Sequence, residues 1–570
     1  MNCASPGSNE NAAFTAWKVE KATDAFSRTS TGRHRDPVHR QGASGGFRTP
    51  DRHPFRGTGI ATSPMQDMTL DKPIVLGARA SVLAQVQARF VVDALLARHP
   101  GLKIEYSFLT SPGDRELDTP LAELLRRGGF TGDLGVALRA NAIDIAVHLW
   151  KDLPFAGNPL THIAATLPRA DTRDLLLVKR SWLSRSQGEL RVLSSSARRR
   201  TNLSGFLQWA LPIQPPRVTF VLARGDSEAR LAQLMDGEAA ALVVAKANID
   251  RLLESTAPEF AGLRERVRAA LDACEVMVLP LALNPTAPGQ GALAIEIRRD
   301  RADLAELLAP INDEATFGRV IAERARLSPT GDEDHPLGVS IVPIHCGEVE
   351  FTRGQKGGQW IQSAELRRHD GPLPPASSQH AIWTGDEGSA DRYRRVALQV
   401  RHDQFADARV GLFVARSEAW PDGFSPRPGQ VVWSAGIDTW RRLAARGIWV
   451  HGSDESLGEG GSGALRSLFP RVQRWVKFSH EQGYDSPFSE RIPTYRLERC
   501  APLADLTGRT HFFWRSGAQF YDYLQANPEI RGAWHGCGPG NTFSMIRAAI
   551  GEERVRAFLS ADVFRQEVEQ

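Results

Sequence analysis

Residues 72–99, KPIVLGARASVLAQVQARFVVDALLARH, read as a strand, a turn and a helix. IVLGAR is an apolar run of strand length, and Ser81 stands where a helix N-cap belongs. Leu83, Val86, Phe90, Ala94 and Leu95 then fall on one helical face. Pro100-Gly101 stops the helix and LKIEYSFL (102–109) follows as a second strand. Strand, crossover helix and strand form the repeating unit of an α/β fold.

The pattern continues outward. A polar stretch from Thr110 to Thr131 reads as a long loop, followed by a short helix near DLGVALRA (133–140) and a strand at AIDIAVHLW (142–150). ELRVLSSS (189–196) is a strand meeting a Ser-capped helix. RVTFVLARG, DSEARLAQLMDGEA and AALVVA (217–245) make a βαβ unit. QGALAIEIRR (290–299) is a strand that can return to the first unit, and residues 302–327 read as one helix. Short alternating strands follow Pro336. GPLPPASS (371–378) has the composition of a linker, and strands and helices alternate again beyond it.

A chain of 570 residues is too long for one compact domain. Its 42% hydrophobic and 24% charged residues describe a globular chain. No uncharged apolar run of about 18 residues occurs, which excludes a helical membrane span. The net charge of +4 comes almost wholly from residues 1–70, which hold nine Lys or Arg against six Asp or Glu. The body is therefore near neutral and offers no global field for nucleic acid. Residues 1–70 lack apolar periodicity and read as a disordered extension. Only nine of 70 basic residues are Lys. A GC-rich genome and a need for planar carboxylate binders both give that bias, and composition alone does not separate them. Five Cys without paired spacing point to reduced thiols in a cytoplasmic protein, with no disulfide framework and no metal site.

Seven segments within residues 72–344 resemble porphobilinogen deaminase (hydroxymethylbilane synthase). They are GARASVLAQVQA (77–88), GDRELDTPLAEL (113–124), AIDIAVHLWKDLP (142–154), VLSSSARRRTNL (192–203), LARGDSEARLAQL (222–234), APGQGALAIE (287–296) and AERARL (322–327). LFVARSEAW (412–420), VVWSAGIDTWRRLAARGIWV (431–450), HFFWRSGAQFYDYL (511–524) and AWHGCGPGNTFSMIRAAIG (533–551) more faintly resemble uroporphyrinogen-III synthase. The resemblance implies an α/β architecture: two lobes like those of periplasmic binding proteins, a small α/β third domain, then a two-lobed synthase-like region. The implied bounds are 71–168 for lobe 1, with a return segment at about 276–298, then 169–275 for lobe 2 and 299–370 for domain 3. A linker at 371–380 leads to the synthase-like region at 381–570.

The implied activity joins four porphobilinogens, releases ammonia and cyclises the product to uroporphyrinogen III, in a monomer that binds neither nucleic acid nor membrane. Porphobilinogen carries an acetate and a propionate, so a cleft that holds its oligomers needs fixed cations. The matching positions are Arg79, Ser81, Lys151, Ser196, Arg198, Arg199, Arg224 and Arg230, with Arg200 left as a surface charge. Asp152 is the catalytic candidate, as acid, base and counter-ion to an azafulvenium cation. His148 reads as a structural strand residue. Gly289 and Gly291 in APGQGA suit a close backbone crossover between lobes. Phe130 could pack on pyrroles or simply be buried. Tyr495 and Ser516 are the candidates in the C-terminal region.

In the family, a Cys ahead of QVPIG carries the dipyrromethane cofactor as a thioether. Here LGVSIVPIH (337–345) puts Ser340 at that position, and a hydroxyl is a far poorer nucleophile than a thiol. Cys346 is the nearest thiol, but six residues of strand span roughly 20 Å. Pro112 and Gly132 also stand where basic residues are usual in the family. Two expectations follow: an active transferase with its primer at Cys346 or held without a bond, or a non-catalytic homologue that keeps a tetrapyrrole-binding cleft.

Overall fold

The computed structural model describes residues 72–111, 129, 131–185, 188–213, 217–223, 225–237, 239–327, 336–385, 392–460 and 465–570. The expectations for residues 1–70, for most of the loop after Thr110, for Phe130 and for Arg224 lie outside them. All of the described residues belong to one compact unit, Asp67–Gln570.

Among the described residues, five sheets organise a mixed α/β fold. The first has the order Ile104–Leu109, Ile74–Arg79, Ile145–Leu149, Leu293–Arg298, Thr161–Ala165. Its first three strands are parallel, and the returning strand Leu293–Arg298 runs antiparallel to both neighbours. The second sheet has the order Val218–Val221, Leu190–Leu193, Ala241–Ala245, Asp174–Lys179, Cys274–Val278. Strand Cys274–Val278 pairs here with Asp174–Lys179, so the return to the first sheet begins only after it. The strands of the 217–245 unit do not pair with each other. Both lie parallel to Leu190–Leu193, which sits between them.

The segment read as a single helix over 302–327 is broken. Ala302–Leu308 and Glu314–Leu327 are separate helices joined through the 3-10 turn Ala309–Ile311. Asp313 supplies the cause, because its carboxylate accepts from Thr316 N at 2.7 Å and starts the second helix. Ser81 does precede helix Val82–Arg98, but its hydroxyl makes no cap bond. Leu337–Ile344, Gly347–Lys356 and Gln359–Arg368 form an antiparallel three-stranded sheet. Beyond it lie a six-stranded sheet, with Val410–Val414 and Arg474–His480 at its centre, and a four-stranded parallel sheet containing His511–Trp514 and Trp534–Cys537.

The Pro-rich segment 371–378 does not behave as a free spacer. Leu373 is buried, Ala376 N donates to Val568 O, and Pro374 O lies 2.9 Å from His511 Nε2. Nor are the N-terminal and C-terminal halves independent. Leu203, Phe206 and Leu207 share one apolar core with Trp440, Leu443 and Ile448. Trp440 Nε1 donates to Ala210 O at 3.2 Å, and Trp449 Nε1 to Val276 O at 3.1 Å. Backbone also joins the halves, through Val278 N to His451 O at 2.7 Å. No described helix is long and apolar enough to cross a membrane.

Candidate active site

Strand Ile145–Leu149 is followed at once by the 3-10 turn Trp150–Asp152. Trp150 pins the turn: it is buried and its ring meets Phe317 edge-on at 5.0 Å. Gly289 passes so close that a Cβ there would lie 3.2 Å from Trp150 Cβ and 3.3 Å from Lys151 N, and its φ is +78°. Gly291, at φ +88°, approaches Ala170 O in the same way. Only glycine combines that backbone with that proximity. The crossover expected from APGQGA is thus the floor on which Lys151 and Asp152 stand. His148 faces Glu296 at 2.9 Å inside the sheet, a structural role.

Parallel neighbours open at the same edge. Arg79 ends strand Ile74–Arg79, next to Ile145–Leu149, so Arg79, Ser81 and Lys151-Asp152 share one edge of the first sheet. In the second sheet Ser196, Arg198 and Arg199 follow Leu190–Leu193, while Arg230 lies in the helix after Val218–Val221. These strands are also parallel, and their C-terminal ends share an edge. Lys151 marks the meeting of the two sets. Burial is the first cause that lowers its pKa to about 8, and the charges acting on it are those of Asp152, Arg199, Asp174 and Arg230. Arg230 is half-buried, with Nε donating to Gly225 O at 3.0 Å.

Behind this edge lies a buried polar cluster centred on Asp174. Arg199 donates to Oδ2 through Nε at 3.0 Å and to Oδ1 through a terminal nitrogen at 2.6 Å. Arg198 donates to Oδ2 at 3.1 Å and also to Asn284 Oδ1 and Pro285 O. Gln290 Nε2 donates to Oδ1 at 2.8 Å, and its Oε1 receives Lys151 Nζ at 3.4 Å. Burial opposes the charge on Asp174, yet Arg199 and Arg198 hold the carboxyl well below the usual carboxylate range. Two of the five arginines expected to face substrate, Arg198 and Arg199, therefore bond a protein carboxylate, while Arg200 is exposed. Ser196 caps the Ala197–Ala210 helix by accepting from Arg199 N at 3.4 Å.

Sequence reasoning passed over Asp174, Asn284, Gln290 and Glu323. Asp174 carried a signal: it is the lone acid opening the strand DLLLVK, whose other residues are apolar up to its last, and a buried charge there needs partners. Glu323 is fully buried. It grips Arg169 with both oxygens at 2.8 Å and accepts Gly289 N and Ile341 N, tying the crossover to the three-stranded sheet.

The family model described as "Porphobilinogen deaminase, dipyromethane cofactor binding domain" matches residues 74–306. The chain is 33% identical over 332 residues to the porphobilinogen deaminase of Mycolicibacterium gilvum (strain PYR-GCK), covering 58% of this chain and 95% of that protein. It is 36% identical over 263 residues to that of Roseiflexus sp. (strain RS-1), covering 46% and 78%. This chain belongs to the porphobilinogen deaminase family.

The matched region is similar to the domain that binds the dipyrromethane cofactor, but beyond it the residues at and near the expected attachment position do not fit a thioether-held dipyrromethane. Ser340 is wholly buried in strand Leu337–Ile344, and its hydroxyl is engaged with both the backbone N and the hydroxyl of Thr286. Cys346 fares no better. It sits in the turn before Gly347–Lys356, buried in a core with Trp383, Phe512 and Trp514, and burial raises its thiol to about 11. A thiol buried in this way reads as a structural cysteine, which argues against a primer at Cys346. Cys274 is likewise buried and raised to about 11, and Cys537 is pushed well above its ordinary range.

A second cleft lies in the C-terminal half of this deaminase relative. A cleft of about 490 Å3 between the six- and four-stranded sheets is lined by Lys477, Tyr495, Trp514 and Ser516. It continues into a cavity of about 700 Å3 lined by Arg395, Arg416, Arg499 and Arg515. Tyr495 and Ser516 border both. Tyr495 is nearly buried, with the Arg395 guanidinium 5.8 Å from its ring, and Ser516 caps helix Gly517–Ala526. Burial first, and then the charges of Arg416, Arg491 and Lys477, lower His480 to about 4.

Proposed function

We propose that the protein is a transferase of tetrapyrrole biosynthesis that condenses four porphobilinogens head to tail into hydroxymethylbilane, and that its C-terminal region closes this product to uroporphyrinogen III. The first half is supported by Lys151, which follows strand Ile145–Leu149, reaches Gln290 Oε1 with Nζ at 3.4 Å and feels the charges of Asp152, Arg199 and Arg230. On this reading 71–168, with the return segment, and 169–275 are the lobes of the cleft, 299–370 is its third domain and 381–570 is the cyclising region.

Asp152 delivers a proton to the aminomethyl nitrogen of porphobilinogen. The C–N bond breaks, ammonia leaves, and the azafulvenium cation rests beside the carboxylate that formed. The α-carbon of an acceptor pyrrole attacks the exocyclic methylene, a C–C bond forms, and the α-proton returns to Asp152. Lys151, Arg79 and Arg230, together with Arg224, take the acetate and propionate groups. Arg198 and Arg199 act through Asp174 and Gln290, which fix the potential behind Lys151. The acceptor is held by charge and shape, not by a bond to the protein. After three couplings the aminomethyl group left at the chain end loses its ammonia in the same way, water adds to the resulting methylene to give the hydroxymethyl group, and the water's second proton passes to Asp152.

The C-terminal reading is supported by four arginines around one cleft, because hydroxymethylbilane presents eight carboxylates. A second reading, a non-catalytic tetrapyrrole-binding homologue, is favoured by one observation, the commitment of Ser340 to Thr286.

Incubation of the full-length chain with porphobilinogen separates these readings. Release of one ammonia per porphobilinogen with formation of the type III isomer is expected. Ammonia with only the type I isomer would remove the cyclising role. Binding of porphobilinogen without ammonia release would leave the non-catalytic reading.

A further inference from the structure

Residue Glu459 stands where the C-terminal cleft meets a second cavity of about 760 Å3, which is lined in part by residues 168–173 and 341–345 of the N-terminal half. Its side chain is 7% exposed. Oε1 takes hydrogen bonds from Lys477 Nζ and from Asn541 Nδ2. Lys477 belongs to strand Arg474–His480 of the six-stranded sheet, and Asn541 opens helix Asn541–Ile550 beside the four-stranded sheet. One carboxylate oxygen therefore joins the two lobes. Among the described residues no donor reaches the other oxygen, Oε2, although it is buried. A buried acceptor left without a donor is costly, and such atoms recur where something else is meant to bind.

The surroundings restrict what that can be. Beyond Lys477 the cleft wall turns cationic through Arg416 and Arg515, and Tyr484 and Trp514 add aromatic surface. A simple polycarboxylate or a phosphate would satisfy the arginines but would be repelled by Glu459. A ligand that meets both carries carboxylates at its periphery and an N–H donor on a flat ring. A carboxylated pyrrole is such a ligand.

We propose that Glu459 Oε2 accepts the N–H of a pyrrole ring bound in the C-terminal cleft, making Glu459 the residue that selects a pyrrole among polyanions. This rests on the reading of that cleft as a tetrapyrrole site. Lys477 and Asn541 position Glu459 by occupying its other oxygen.

The test uses the full-length chain and an octacarboxylate linear tetrapyrrole bearing methyl in place of hydroxymethyl, which cannot cyclise, with binding read by equilibrium dialysis. The part of binding lost in Arg416→Ala/Arg515→Ala belongs to the cleft. That part is expected to weaken at least tenfold in Glu459→Ala/Lys477→Met, which removes acid and base together and leaves no buried unpaired ammonium. Wild-type protein is expected to bind the same probe methylated at its pyrrole nitrogens at least tenfold more weakly, with no further loss when variant and methylated probe are combined. This second arm needs no mutant to fold. Equal binding of both probes by wild type, or undiminished binding by the variant, overturns the inference while an arginine effect leaves the cleft reading standing. If the arginine variant loses nothing, the cleft reading fails and the assignment of Glu459 falls with it.

Discussion

Ser340 Oγ lies 2.8 Å from Thr286 N and 3.0 Å from Thr286 Oγ1, so one buried hydroxyl stitches the three-stranded sheet to the crossover segment. Ser340→Ala should orphan the Thr286 N–H and lower stability by about 1–3 kcal/mol in urea titration. Ammonia release from porphobilinogen should stay at the wild-type level, and the wild-type chain should show no added mass in intact-mass measurement. A covalent adduct on Ser340 would contradict this assignment.

Asp174 is the counter-charge for two buried guanidiniums. Asp174→Asn should cost about 3–5 kcal/mol in chemical denaturation, because it leaves a buried charge uncompensated. A loss no larger than that of an exposed Asp to Asn change would show that the cluster is solvated.

These two residues illustrate what could be read in the chain and what could not. The alternation of strands and helices, the placement of Lys151-Asp152 after a buried strand and the close approach at Gly289 all follow from local pattern. The run Arg198-Arg199-Arg200 shows the limit. Helical period turns Arg200 outward, but only the fold reveals that Asp174, from another strand, has claimed the other two. Cys346 is similar, since nothing near it in sequence announces that its turn is buried in the core of the C-terminal half. The segment 371–378 has the composition of a spacer, and its packing through Leu373 depends on a surface nearly two hundred residues later.

Lys151, lowered to about 8 chiefly by burial, is charged below that value and neutral above it. Attraction for substrate carboxylates should therefore fade as pH rises through about 8, seen as a fall in kcat/KM for porphobilinogen. Lys151→Arg keeps its charge at every accessible pH and should abolish that inflection. Persistence of the inflection in the arginine variant would assign it to another group.

Glu455 joins the halves by accepting Leu281 N and Ala282 N, each at 2.7 Å. Burial, first among its causes, raises its carboxyl to about 7 from an ordinary 4.5. The folded protein then holds a proton that the unfolded chain has released between those values, so stability should fall as pH rises from 4.5 to about 7 and level off above. Roughly 3 kcal/mol is at stake across that window. Asp454, raised to about 6 by burial, slopes the same way. Thermal melts of Glu455→Gln should show a clearly shallower decline than wild type, and an unchanged decline would exclude Glu455 as its source.

The central claim is that Asp152 performs proton transfer at the junction of the two sheets. The direct measurement is ammonia release from porphobilinogen by wild-type protein and by Asp152→Asn, with circular dichroism melts to verify folding. The account predicts steady release by wild type and a loss of at least about a hundredfold in the folded variant. Wild-type release matched by Asp152→Asn would contradict it.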